Sequence, residues 1–336
     1  MYKKNTSPRL EPNNRLRGRA EKNNNVPQRP KLKIKKILIT GGNGFIAKSL
    51  KENLSSAENY EGKFLTWCYD VVSYNSSQLD LTDSKKVEKF IANRGYDIII
   101  HGATYDAAPE FSDKNPNLVL EKNLRMFFNI ARCSNHFGKM IYFGSGAEFN
   151  RENWTSKMKE DYYNQNVPID QYGYSKYLMN RHSLESSNIY NLRLFGVFGE
   201  HDDWRYRFIP NACCKAVLGM PIKMRFNSVF DYLYINDLAK AVKWLINNTP
   251  KHKNYNICTG ECYSYKDLAE KVREASGKDL DIVVENDTGG YEYSGDNTRF
   301  CEESGIKFQN IDDSIKKIYN WYSKNNNIID EKHFVY

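Results

Sequence analysis

The apolar run Lys36-Ile37-Leu38-Ile39-Thr40 stops at Gly41-Gly42-Asn43-Gly44 and passes straight into Phe45-Ile46-Ala47-Lys48-Ser49-Leu50-Lys51-Glu52-Asn53-Leu54, whose apolar positions recur at helical spacing. No other stretch narrows the fold so far. A strand that turns on glycines into a helix aims bare backbone N–H groups and the positive helix end at one point, a geometry suited to a diphosphate. Gly41 suits the tight turn, and Gly44 lets the backbone approach phosphates with no Cβ in the way. Ala47 is small enough for the helix to close on the strand. Asn43, Phe45 and Ile46 would meet the same ligand.

Downstream, strands and helices alternate. Strand-like stretches span Phe64–Asp70 and Asp70–Asn75, overlapping at Asp70. The last residue of the second strand faces the adenosine ribose, where a carboxylate accepts from the 2′-OH of NAD and repels the 2′-phosphate of NADP. Asp70 in that place favours NAD; Asn75 leaves NADP open, and its register is preferred because Leu79-Asp80-Leu81 follows after a short loop. Tyr96–His101 reads as a buried parallel strand, delivering Gly102-Ala103-Thr104. Asn115 caps a helix opened by Pro116 that runs to about His136 and stops at Gly138. Lys139–Phe143 is the next strand, and a helix spans Tyr172 to about Ser187. The pattern is that of an α/β chain with a doubly wound parallel sheet.

Ser145 stands at a strand end, and Tyr172 and Lys176 are i and i+4 on one helix, hence on one face. A free tyrosine has a pKa near ~10. A neighbouring Lys⁺ and a nicotinamide cation both favour the phenolate and lower that value. The phenol then exchanges a proton with a sugar oxygen while hydride moves. Ser145 would bind the same oxygen, and Lys176 the ribose hydroxyls.

The Thr-Gly-Gly-x-Gly-Phe-Ile run, Asp80-Leu81, His101-Gly102-Ala103, Gly144-Ser145-Gly146-Ala147 and Tyr172-x-x-x-Lys176 together resemble the extended short-chain dehydrogenase/reductases. The likeness is to their NAD(P)-dependent nucleotide-sugar epimerase, dehydratase and reductase branch, over residues 34 to about 310. It implies a Rossmann-type coenzyme domain (33–198 and 229–258) and a smaller C-terminal α/β substrate lobe (199–228 and 259–325). It also implies that Asp80 and Leu81 flank the adenine, and that Ala103 lines the path to the nicotinamide ribose with Thr104. Asn123 would lie under the active site, and Phe195 on the coenzyme side of the strand leading into the lobe. Dehydratases of this kind place Asp-Glu after the catalytic hydroxyl residue; here stand Gly146 and Ala147, with Glu148 one residue out of register. GDP-fucose synthases carry a Cys and a His where this chain has Ala147 and Arg207. What remains is 4-keto reduction of a nucleotide-linked 6-deoxyhexose, with 4-epimerisation on retained NAD or C4 oxidation as alternatives. A non-catalytic regulatory protein is the alternative of another class, disfavoured because Tyr172 and Lys176 are both present. Trp204, Arg207 and Arg225, with Arg205, Lys215 and Lys223 nearby, form a candidate patch for the sugar diphosphate. The arginine that many relatives carry before Asp231 is Phe230 here, and a second is lost around Glu292–Asp296. Relatives pair through helices 116–137 and 172–187, so a homodimer is expected.

The 336 residues carry a net charge of +8, yet residues 1–36 hold 12 Lys/Arg against two acids and the rest is slightly acidic. The basic excess belongs to a tail, residues 1–32, rich in Asn and Pro and expected to be disordered. A solvated extension is the preferred reading of it over a nucleic-acid or membrane-surface contact. Seven cysteines without zinc-ligand spacing fit reduced thiols and no metal. Nothing resembles a signal peptide, and no apolar run approaches the about 20 residues of a membrane span. The expectation is a cytoplasmic enzyme using NADP or NAD.

Overall fold

The computed structural model describes residues 1, 33–55, 67–106, 113–286 and 288–334. The basic tail, Met1 aside, and the start of the strand candidate at Phe64 lie outside the described residues.

The chain opens with β1 (Lys33–Thr40), α1 (Phe45–Ser55), β2 (Trp67–Tyr74), α2 (Ser84–Ala92), β3 (Tyr96–His101), α3 (Val119–Ala131), β4 (Phe137–Ser145), α4 (Gln171–Glu185) and β5 (Ile189–Leu194). It continues through β6 (Gly196–Phe198), α5 (Phe208–Leu218), β7 (Ile222–Phe226), β8 (Val229–Phe230), β9 (Tyr232–Tyr234) and α6 (Ile235–Asn247). β10 (Asn254–Ile257), β11 (Tyr263–Ser264), α7 (Tyr265–Ser276), β12 (Ile282–Asn286), β13 (Glu292–Tyr293), α8 (Thr298–Ser304) and α9 (Ile311–Lys324) complete it. Six strands pair in parallel in the order β2-β1-β3-β4-β5-β10.

Side-chain alternation divides the sheet's two faces. Ile37, Ile39, Ile98, Ile100 and Ile141 share one buried cluster with Leu50 of α1 and Leu238 and Val242 of α6. Leu38, Ile99, Met140 and Tyr142 share the other with Val87 of α2, Phe127 of α3 and Met179 of α4. A strand with both faces covered reads as a continuous apolar run, which is why β3 was visible in sequence. Beyond the main sheet, β7–β12, β11-β8-β13 and β6–β9 form small sheets, and α5, α7 and α9 join the cluster on the α1 face.

The two overlapping strand candidates are one strand, β2. Its register sets Asp70 opposite Lys36 in mid-strand and Tyr74 opposite Thr40, so Asn75 is the residue that leaves the sheet. Asp70 is tolerated because β2 is an edge strand and the side chain is exposed. Asn115 does cap the turn at Pro116 by accepting from Asn117 N at 3.0 Å. The helix ends at Ala131, earlier than expected, and Gly138 lies inside β4. A Cβ there would sit 2.6 Å from the Asp97 carbonyl oxygen of β3, so the glycine serves strand pairing and not helix termination.

Candidate active site

Placing β2 and β3 on opposite sides of β1 makes the gap between β1 and β3 the switch point, where open α/β sheets hold ligands. Gly41 turns there at φ +77°, and a Cβ on it would lie 2.7 Å from both N and Cα of Ala103. The two strand ends touch with no room between them. Gly44 N donates to Gly41 O at 2.8 Å, and α1 starts at Phe45 with no acid in its first turn, leaving its N-terminus open to an anion. Ala47 is buried beneath the turn, as its size requires. Asn75 donates to Asn43 at 3.3 Å. Both line a cleft of about 500 Å3 with Gly42, Lys48, Lys51 and Ser73. Glycine cradle, free helix end and ribose-side cleft fit an adenine dinucleotide.

Asp80 is exposed and caps its own loop, accepting from Thr82 N and Oγ1 at 2.9 and 2.7 Å, bonds that hold its carboxyl below the usual range. Leu81 buries its side chain in the core, and its carbonyl accepts from Asn129 at 2.8 Å. Asn123 is 1% exposed, accepts from Tyr105 N at 2.7 Å and donates to Tyr105 O at 3.0 Å. It shapes the loop carrying Ala103 and Thr104, with both ends of its amide committed to Tyr105. His101 bonds Thr40 Oγ1 at 2.9 Å; burial, aided by Lys176, holds the imidazole neutral with a pKa down to about 3.

The reactive side chains meet at the ends of β4 and α4. Asp170 caps α4, accepting from Gly173 N at 2.8 Å. A Cβ on Gly173 would come within 2.6 Å of Ala147 O, so the first turn of α4 lies directly on the backbone that follows Ser145. Tyr172, in that turn, faces this backbone. Lys176 is buried, donates to Phe143 O at 2.8 Å and lies 5.6 Å from the centre of the Tyr172 ring. Burial lowers its pKa to about 8 against the pull of Glu148 and Asp106. The expected depression of the Tyr172 phenol is reversed. Burial, then Asp106 and Tyr293, push it well above its ordinary value, outweighing Ser145 and Arg151. Lys176 donates to a carbonyl, and burial sets the direction of the phenol's shift.

Glu148 is no displaced catalytic acid. It is fully buried, accepting from Arg193 Nε and Nη2 at 3.0 and 2.9 Å, from Asn191 at 3.1 Å and from Ser145 N at 3.1 Å. Gly144 makes the space: a Cβ there would fall 2.2 Å from both Asn191 Oδ1 and Glu148 Oε1. Tyr293, absent from the sequence reading, places its hydroxyl 3.0 Å from Ser145 Oγ. Its ring packs on Trp154 and on Phe195, which is buried. Phe230 also reaches Tyr293, with ring centres 5.7 Å apart, so aromatic side chains meet where arginines were sought.

The expected cationic patch disperses. Trp204 packs on Phe334, Lys215 is buried over Phe334, Arg205 pairs with Asp203, and Arg225 lies over Phe226 on β7. Arg207 lies over the Tyr206 ring at 5.1 Å and feels Asp106, the carboxylate that also acts on Tyr172 and Lys176. Burial works against its charge, yet Asp202, Tyr206, Tyr232 and Asp106 hold it above its ordinary range. Asp106, five residues beyond the end of β3, is a strand-end acid whose place in the sequence is the one signal for it.

A parallel sheet with a glycine cradle at its switch point and a phenol and a lysine beside a serine define a Rossmann-type enzyme that works with NAD or NADP. Residues 37–258 match the NAD dependent epimerase/dehydratase family, and the chain belongs to it. GDP-L-colitose synthase of Yersinia pseudotuberculosis is 20% identical over 310 residues, 86% of this chain and 93% of that protein. UDP-glucose 4-epimerase of Bacillus subtilis is 26% identical over 297 residues, 73% and 83% respectively. The NADP-bound GDP-mannoheptose C4 reductase of Campylobacter jejuni shares the fold at TM-score 0.72 and 21% identity, across 86% of this chain and 98% of its own. Among the described residues, no helix is long and apolar enough to cross a membrane.

Proposed function

We propose that the chain reduces the C4 ketone of a nucleotide-linked 4-keto-6-deoxyhexose, using NADPH. The observation that carries this reading is the meeting of Ser145, Tyr172 and Lys176: the first turn of α4 lies on the backbone after Ser145, and the Lys176 ammonium is 5.6 Å from the Tyr172 ring centre. A bound reduced nicotinamide supplies hydride to a carbonyl carbon. Tyr172 gives its proton to the oxygen, Ser145 holds that oxygen by a hydrogen bond, and the Lys176 cation stabilises the phenolate left behind. Gly146 and Ala147 provide no second acid–base pair, which fits reduction better than dehydration. Asn75 in the place of a carboxylate, with Lys48 and Lys51 on the same cleft, supports NADPH over NADH. The GDP-linked sugars in the names of the colitose synthase and the heptose reductase support a GDP sugar, its diphosphate meeting Arg207.

We further propose a cytoplasmic homodimer paired through α3 and α4, where Phe128 lies on His182 and Leu184 is 41% exposed. Sedimentation at micromolar concentration giving a monomer removes that assignment. The experiment for the reaction is NADPH or NADH absorbance with GDP- or dTDP-4-keto-6-deoxyhexose. Stoichiometric loss of reduced coenzyme with NADPH preferred, abolished by Tyr172→Phe with coenzyme binding retained, is the expected result. Coenzyme binding without loss points instead to 4-epimerisation on retained NAD or to C4 oxidation.

A further inference from the structure

Tyr293 arrives from the substrate lobe, 148 residues along the chain from the serine it touches. It is 8% exposed, and the fold has made room for it on the serine's own turn. A Cβ on Gly146 would lie 2.6 Å from its ring and 2.7 Å from Phe195, and one on Gly295 would lie 2.3 Å from Phe195. Trp154 backs the ring at 4.3 Å and anchors itself by donating from its indole N–H to Gly146 O at 3.0 Å. Pairing of β13 with β8, and Asp231 N donating to Tyr293 O at 3.2 Å, fix the backbone.

A serine hydroxyl has one proton and two lone pairs. One lone pair of Ser145 accepts from Ala147 N at 3.2 Å. The Tyr293 hydroxyl lies 3.0 Å from Ser145 Oγ and, at the longer 3.3 Å, within reach of Leu194 O. Burial keeps this second phenol neutral, its pKa pushed up to about 12, so it has one proton to give. Given to Ser145, that proton fills the serine's second lone pair and leaves the serine's own hydrogen to point at whatever oxygen lies beyond. Given to Leu194, it turns Ser145 into a donor to Tyr293 and withdraws that hydrogen from the site. The shorter distance favours the first arrangement.

We propose that Tyr293 is a positioning residue: by donating to Ser145 Oγ it fixes the serine as hydrogen-bond donor to the reacting oxygen, so that the catalytic set is completed by the substrate lobe. This rests on the reading that Ser145 touches that oxygen. The test is a cycle of Tyr293→Phe, Ser145→Ala and the double variant in the full chain, following NADPH oxidation with GDP- and dTDP-4-keto-6-deoxyhexose. Tyr293→Phe should lower kcat by about tenfold, the worth of one steered hydrogen bond, with KM unchanged. In the Ser145→Ala background it should change nothing further. Equal losses in both backgrounds, or a loss confined to KM, overturn the proposal as a merely structural effect. Wild-type turnover in Ser145→Ala overturns the reading of the serine first. A second arm needs no substrate: in chains labelled at tyrosine Cζ, Ser145→Ala should move the Tyr293 carbon resonance and, besides Tyr172, which also neighbours the serine, leave the other tyrosines in place. An unmoved resonance overturns the hydrogen bond itself, whether or not either sugar is reduced.

Discussion

Replacing Arg193 by Met should destabilise the fold strongly, because it orphans a buried carboxylate. Arg193 and Glu148 are both fully buried, and the guanidinium gives two hydrogen bonds to Glu148 Oε2 and a third, at 3.0 Å, to Asn256 Oδ1. Methionine of similar reach fills the space but leaves a carboxylate in the core with only the neutral donors Asn191 and Ser145 N. Breaking one side of a buried pair costs about 3–5 kcal/mol. A domain is stable by only about 5–15 kcal/mol. With an m-value of about 3 kcal/mol/M, the urea midpoint should fall by roughly 1–1.7 M. Circular dichroism during urea titration of the wild type, Arg193→Met and Glu148→Gln/Arg193→Met is the assay. Glutamine keeps an acceptor for Ser145 N and discards the charge, so the double variant should regain most of the loss. Arg193→Met within about 1 kcal/mol of wild type, or a double variant no better than the single, would refute the idea that an orphaned charge sets the cost.

Gly41→Ala should weaken NADPH binding by about 10–100-fold in a fluorescence titration, because relieving overpacking against Ala103 costs about 1–3 kcal/mol and moves the turn. Native far-ultraviolet dichroism should persist, and unchanged affinity would remove the turn from the coenzyme site. Gly173→Ala needs α4 to retreat from a 2.6 Å contact to an ordinary one of about 3.4 Å, and a shift approaching 1 Å at Tyr172 should cost kcat up to about a hundredfold. A variant with wild-type kcat and wild-type melting would show that the helix does not set the phenol's position. Lys176, with its pKa lowered from 10.5 to about 8, loses its charge as pH rises through 8, so kcat/KM should fall there. Lys176→Arg should abolish that falling limb. The linkage has the opposite sense for folding: the buried charge penalises the fold below about 8, and the penalty fades between 8 and 10.5, where the unfolded chain alone keeps the proton.

What the sequence showed, and what it hid, follows from how local each signal is. The glycine turn, β3 and the Tyr172–Lys176 spacing are written within a few residues of one another, and the chain builds them as read. β2 was blurred because Asp70 sits inside it without a Gly or Pro to mark an end, and only pairing with β1 settles the register. Glu148 could not be placed without the pairing of Gly144 with Arg193 across β4 and β5, which brings the two charges together. Tyr293 was invisible among 24 tyrosines, since nothing near it in sequence betrays a contact with Ser145. The direction of the Tyr172 shift was missed for a related reason: spacing reports that a lysine shares a helix face, but not how burial and Asp106 act on the phenol.

The registers also act as a ruler. Thr40, His101 and Tyr142 stand level across β1, β3 and β4, so β4 is two strand spacings, about 10 Å, from the glycine turn. Ser145 is three residues further along β4, a rise of about 10 Å more. The reacting centre is therefore raised above the sheet's rim like a lamp on a post, and a ligand seated at Gly41 must climb as well as cross to reach it. Shortening β4 by one residue would lower Ser145 by about 3.3 Å and turn it to the opposite face, so the post can be cut only in steps of two.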